Sequence, residues 1–213
     1  MSADFKIKRF VSGLGYDAPV RNPIWLGPLP PSYLSELFGE SINVAEIYSE
    51  AIDAWNQPRS GGEIDGTLQF YTELYLQNDI LTKMDRAGML NSLEVRSPFL
   101  DIDFVDLVRQ IPTRLKFDGK QTKKILKQSL QSVLPPEIIY RKKKGFGIPI
   151  GQWFKDGHLE IDATKFQGLV NSDVVQQLNY EHLDNKVDWR SFLWAYHGLE
   201  KWYDRLSSVR TIS

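Results

Sequence analysis

One stretch, Asp79 to Asp101 (DILTKMDRAGMLNSLEVRSPFLD), constrains the rest of the chain more than any other, because a helical apolar repeat and a dense set of charges share it. Ile80, Leu81, Met84, Ala87, Gly88 and Leu90 recur at steps of three and four, the spacing that lines one face of an α-helix. That spacing predicts a helix over residues 78–91, with Asn78 or Asp79 as its N-cap. Lys83, Asp85 and Arg86 fall within one turn of it, and Asp79 precedes Lys83 by four residues, the favourable order for an acid–base pair. Pro98 bars a helix at Ser97, so Leu93 to Leu100 reads as an extended connector with Glu94 and Arg96 on one side. Asp101 stands where the next helix needs a cap.

Elsewhere helix follows helix. Phe5, Ile7, Phe10, Val11 and Leu14 mark an amphipathic helix closed by Gly13 and Gly15, whereas residues 17–31 carry five prolines and are expected to be mostly irregular. Helices are expected over residues 33–38, 44–55 (capped by Ser41 or Asn43), 64–75, 99–110, 123–133 (capped by Thr122), 150–155, 174–183 and 189–206. A short turn opens at Pro135 and Pro136, and residues 157–167 are irregular. Phe104, Leu107 and Val108 should face inward in one helix, and Ile125, Leu126, Leu130 and Val133 in another. No clear strand intervenes, so the expected fold is mainly α.

The chain has 213 residues at 42% hydrophobic composition, enough for one core and one domain over 1–213. A formal net charge of −1 argues against nucleic acid as the main partner. There is no cysteine, which fits a reducing cytoplasm, and no apolar run long enough to cross a membrane. His158, His182 and His197 have no partner at ligand spacing, so no histidine metal site is expected.

Two segments raise the question of phosphate binding. Ser60 to Asp65, SGGEID, carries the glycines of a phosphate loop, but AWNQPR precedes it in place of a buried strand. It reads as a loop and N-cap for the helix that follows. Arg141 to Pro149, RKKKGFGIP, sets four cations beside two glycines and one aromatic, a composition suited to a loop that closes on an anion.

These two charged segments, in this order, resemble the signature of the asparagine synthetase domain, the C-terminal half of glutamine-hydrolysing (class B) asparagine synthetases and of related β-lactam synthetases. The resemblance rests on Tyr75, Leu76, Asp79 to Leu81, Lys83, Asp85, Arg86, Met89, Ser92 to Glu94, Arg96 and Pro98 to Asp101, then Arg141, Lys143 to Gly147 and Pro149. It covers residues 70–154 well and the flanks loosely. It implies ATP-dependent amidation of aspartate, or of a related carboxylate, through an acyl-adenylate, with Mg2+ entering alongside ATP. By the same resemblance Lys143 is the catalytic lysine that contacts the departing pyrophosphate, while Lys83, Asp85, Arg86, Lys144 and Gly145 bind substrate or nucleotide. Glu94, Arg96 and Asp101 are expected to form an internal ion-pair network that pins the Pro98–Asp101 turn.

The family's phosphate loop and its acidic GEG.DE or GDG.DE motif do not occur between Met1 and Asp79, and no cysteine is present to serve a glutaminase domain. The expected fold is therefore the C-terminal helical part of an adenine-nucleotide α-hydrolase-like synthetase domain without its parallel sheet. Such helices should present unusually apolar faces, covered by a homodimer partner or by a separate chain that carries the ATP-binding sheet. A non-catalytic helical interaction module, β-lactam synthetase chemistry and amidation of surface sugars are the alternatives that the same residues leave open.

Overall fold

A computed structural model describes residues 3–57, 62–142, 145 and 147–210. Its elements run α1 (Ala3–Leu14), α2 (Ala18–Leu26), α3 (Pro31–Phe38), α4 (Val44–Ile47), α5 (Ser49–Asn56) and α6 (Glu63–Phe70). A π-helix (Tyr71–Leu81) leads directly into α7 (Thr82–Met89), followed by a 3-10 turn (Pro98–Leu100), α8 (Ile102–Gln110), α9 (Thr113–Lys116), α10 (Lys124–Ser129) and α11 (Pro136–Ile139). Then come α12 (Ile150–Lys155), α13 (Ser172–Leu183) and α14 (Arg190–Arg210). The fold is mainly α; the described residues include isolated bridges at Phe117–Thr122 and Gln167–Val170 but no strand. Among them no helix is long and apolar enough to cross a membrane.

The chain divides into two compact units, one of residues 1–52 and 147–213, the other of residues 53–146. In the first unit, residues 17–31 are more ordered than their prolines suggest. Pro19 occupies the first turn of α2, where a backbone N–H has no partner anyway, and Pro31 opens α3 in the same way. Pro23 lies inside α2 and forfeits a helical bond, but the same helix buries Val20, Asn22 and Ile24. Burial of that face offsets the lost bond.

Gly13, expected to close α1, instead sits inside it under Trp25, where a Cβ would overlap the indole. Trp25 stacks on Phe10 at 5.6 Å between centroids, and its Nε1 donates to the Phe10 carbonyl at 3.1 Å. The core proper gathers Leu29, Leu37, Phe154, Phe166, Val175, Leu178, Trp189, Phe192, Leu193 and Tyr196. Asn171 caps α13 by accepting from the Asp173 amide at 3.0 Å.

The second unit is built differently. The helices expected over 64–75 and 78–91 join into one continuous run from Glu63 to Met89, and its middle widens to π geometry. There Thr82 Oγ1 bonds back to the Gln77 carbonyl at 2.9 Å. The wider turn moves each side chain out of the 3.6-residue register, and no residue of the π segment is buried. Burial in this unit is confined to Ala54, Trp55, Gly66, Phe70 and Gly88 among the described residues.

From Leu90 to Tyr140 no described residue is buried. The inward face expected for Phe104, Leu107 and Val108 is therefore an open one, with Leu107 61% exposed. The same holds at Val133, which is 70% exposed, because α10 ends at Ser129. Thr122 does not cap α10; Lys123 precedes it in a left-handed conformation at φ 57° with no side-chain cap.

Candidate functional site

The sequence-selected charges follow from how α7 ends. Leu93 N–H donates to the Gly88 carbonyl at 2.9 Å and Ser92 N–H to the Met89 carbonyl at 3.0 Å, the paired closure of a Schellman motif. Ser92 takes the left-handed position of that motif, at φ 55°. The chain returns so closely that a Cβ on Gly88 would lie 2.7 Å from the Leu93 carbonyl oxygen. Gly88 is thus small because of the turn, and its membership of the apolar stripe is incidental.

Two substitutions should move stability in opposite directions. Ser92→Gly removes the left-handed penalty and should stabilise by about 0.5–1 kcal/mol. Gly88→Ala gains helix propensity but forces the returning backbone away, for a net loss of about 1–2 kcal/mol. Urea unfolding followed by circular dichroism reads both; like signs would mean that the turn does not control this helix end.

The turn leaves the charged groups open to solvent. Lys83 Nζ is 3.9 Å from Asp79 Oδ1, as the acid-before-base spacing anticipates. Asp85 and Arg86 are exposed, with no side-chain hydrogen bond or ion pair among the described residues. Lys83 and Arg86, three residues apart, share a face of α7.

The expected internal network is two separate surface features. Arg96 pairs with Glu94 through Nη2 at 2.8 Å and Nε at 2.9 Å, with both side chains largely exposed. Asp101 accepts from the Phe104 amide at 3.1 Å and caps α8. With no cover over this part of the chain, water screens the pair, which contributes about 0–1 kcal/mol.

Of the second segment, Lys143 and Lys144 lie outside the described residues, as do Ser60 and Gly61 of the SGG stretch upstream. Gly145 is described and exposed, with open space where a Cβ would stand. No hydrogen bond or ion pair joins Arg141, Lys142 or Gly145 to the Asp79–Asp101 stretch among the described residues. Gly62 is the N-cap of α6, as expected of a loop that starts a helix, and Asp65 in its first turn accepts from the Thr113 hydroxyl at 2.6 Å.

Cations are also dense in the sequence that leads up to the loop. From Arg109 to Lys144 the chain carries eleven lysines and arginines against two acids, Asp118 and Glu137. Local contacts fold this segment back on itself. Lys116 Nζ donates to the Arg109 carbonyl at 3.4 Å, Phe117 bridges to Thr122, and Gln131 Nε2 donates to the Tyr140 hydroxyl at 2.7 Å.

Asp118 organises the turn between α9 and α10. It accepts the amides of Gln121 at 2.8 Å and Lys120 at 3.1 Å and pairs with Lys124 at 3.1 Å. The Gln121 amide, then Lys124 and the Lys120 amide hold its carboxyl down at about 2, from an ordinary 3.8. A depressed carboxyl stabilises the fold above its unfolded value and loses that contribution as pH falls from about 4 toward 2. Carboxyl carbon NMR should find Asp118 titrating well below the ordinary 3.8, and Asp118→Asn should flatten the acid limb of stability.

Sequence reasoning set aside His182 for want of a metal partner, yet it is fully buried. Its Nε2 lies 3.1 Å from the Gly151 carbonyl and its Nδ1 3.2 Å from the Trp189 amide. Nδ1 must accept from that amide, so Nε2 carries the proton and donates. Burial holds the imidazole below its usual pKa, against the Gly151 hydrogen bond, which raises it. Only the pairing of helices distant in sequence reveals this group.

The chain matches the family model for asparagine synthase over residues 23–204, a span that includes both charged segments. It belongs to the asparagine synthase family. It is 34% identical over 126 residues to glutamine-hydrolyzing asparagine synthetase 1 of Bacillus subtilis, covering 57% of this chain and 20% of that protein. Asparagine synthetase 3 of the same organism is 31% identical over 130 residues, 57% of this chain and 21% of the relative. The human glutamine-hydrolyzing asparagine synthetase is 27% identical over 164 residues, 66% of this chain and 28% of the relative. The chain thus spans about a fifth of the length of the curated bacterial relatives it matches. No solved structure gives a significant match.

Proposed function

We propose that this asparagine synthase family chain supplies the C-terminal helical part of an ATP-dependent, glutamine-hydrolysing ligase. In that reaction the side-chain carboxylate of aspartate, or of a related acid, attacks the α-phosphate of ATP and expels pyrophosphate. Ammonia then attacks the acyl carbon, and AMP leaves. The observation that carries the reading is that one family match spans both the Asp79–Asp101 stretch and the Arg141–Pro149 loop.

The residues fit an anionic ligand. The Arg109–Lys144 segment has a large cationic excess, and Gly145 and Gly147 leave room for a close backbone approach. Lys143 acts on the charge that grows on the leaving pyrophosphate, Lys144 and the Gly145 backbone hold phosphate oxygens, and Lys83, Asp85 and Arg86 orient the nucleotide and the acid. Mg2+ enters on the phosphates of ATP; the described residues offer no cluster of three potential ligands to hold it by themselves.

The apolar residues left open in the second unit, Leu90, Phe99, Ile102 and Leu107 among them, require a partner, either a second copy or a chain that carries the ATP-binding sheet. A chimera tests the whole reading. The chain replaces its aligned segment in Bacillus subtilis asparagine synthetase 1, and aspartate-dependent pyrophosphate release is followed. Retained release supports the proposal. A folded chimera that binds ATP but releases no pyrophosphate would make the segment a silent interaction module. The chain alone should give no heat with Mg-ATP in calorimetry.

A further inference from the structure

In sequence, α12 begins at the residue after Pro149, where the glycine-rich loop ends. Whatever fixes the first turn of α12 therefore fixes where that loop finishes. Phe154 anchors the far end of the helix in the core. The near end is held differently, by the carbonyl of buried Gly151 on His182 Nε2. A Cβ on Gly151 would press on His182 Cε1 and Arg190 Nε, both at 3.3 Å, so the approach is close.

We propose that His182 is a positioning residue for the end of the loop: as the Nε2–H form it clamps the Gly151 carbonyl and the Trp189 amide together, and a second proton, arriving at Nδ1, keeps the Gly151 bond but releases the Trp189 amide and so unties α12 from the start of α14. The surroundings decide why one proton matters. A proton arriving at Nδ1 would point at the Trp189 N–H, donor against donor. Asp188 Oδ1 is 3.7 Å from Nδ1 and is the carboxylate near enough to take it.

Asp188 is already committed. Its oxygens receive Arg190 Nε at 2.8 and 2.9 Å and Nη2 at 2.5 Å. On the α12 side stands a further cation, Lys155, which donates to Asn185 Oδ1 at 2.6 Å and adds to the disfavour of a charged ring. Phe154 lies edge-on to the imidazole at 6.4 Å and offers it no proton acceptor. Protonation thus costs the Trp189 bond or the Asp188–Arg190 pair. Because the folded group takes its proton less readily than an ordinary histidine, the clamp contributes stability above the usual value of 6.5 and loses it as pH falls below.

The role assigned to the loop rests on the proposed function; the clamp itself is tested without nucleotide, so either can fail alone. Nitrogen NMR of the isotope-labelled, 213-residue chain should show the Nε2–H tautomer of His182 at pH 7. Exchange at the Trp189 amide, corrected for intrinsic rates, should accelerate at least tenfold relative to Val175 and Leu178 as pH falls from 7 to 5. In His182→Gln, which keeps a donor but cannot gain a proton, that ratio should stay constant. The Nδ1–H tautomer, a flat ratio in the unaltered chain, or the same acceleration in His182→Gln would each overturn the proposal. If that variant does not fold, the tautomer and the unaltered chain decide.

Discussion

Alanine in place of Lys143 is expected to lower pyrophosphate release by about 10²- to 10³-fold in the chimera with the Bacillus subtilis synthetase, the scale set by loss of one preorganised group at a developing charge. At about 4 Å and an effective dielectric near 20, a lysine and one unit of phosphate charge attract by roughly 4 kcal/mol. The pyrophosphate gains negative charge as it departs, so the contact strengthens toward the transition state. The loss should therefore fall on kcat, with KM for the acid little changed. Lys143→Arg should recover part of the rate, since it keeps the charge but changes its reach. A drop of less than threefold in Lys143→Ala, in a chimera that otherwise works, would remove Lys143 from the chemistry.

Phe154→Ala should damage the fold more than Gly88→Ala does. The ring is 3% exposed within the core cluster and stands edge-on to both His182 and His197, at 6.4 and 6.2 Å. Truncation removes its apolar burial and leaves a cavity among side chains that are already in contact, a cost of about 3–5 kcal/mol. For a chain of this size that corresponds to a fall in melting temperature of roughly 6–20 °C, read by calorimetry. Trp153 and Trp189 lie in the same unit, so their fluorescence should report the loss directly. A shift of only a degree or two would show that the core tolerates the cavity by collapse.

How far the sequence could be read differs between the units. In the first, α12, α13 and α14 lie close to where apolar periodicity places them, because each packs a face on a shared core and the pattern records that face; α1 also lies where expected, although its Ile7, Phe10 and Val11 stay more than half exposed. Residues 17–31 misled, since the prolines mark the starts of α2 and α3 as well as irregular chain. In the second unit the same periodicity at Phe104, Leu107 and Val133 describes faces that this chain leaves open. The charges were visible in the sequence; their company was not. Asp101 serves α8 as a cap, Arg96 keeps to Glu94, and His182 acquires its role from Gly151 and Trp189.

The sequence by itself determined the helical class, the family, and which charged segments are worth testing, because local spacing and turn chemistry act over a few residues and are written in order along the chain. Only the tertiary structure decided that the helix before Lys83 widens to π geometry, that Gly88 yields to a returning backbone, and that a histidine joins two distant helix ends. The first two are set by backbone hydrogen bonds over a few residues that apolar spacing does not encode; the last depends on residues far apart in sequence, and hydrophobic periodicity carries no record of which distant partner a face will meet.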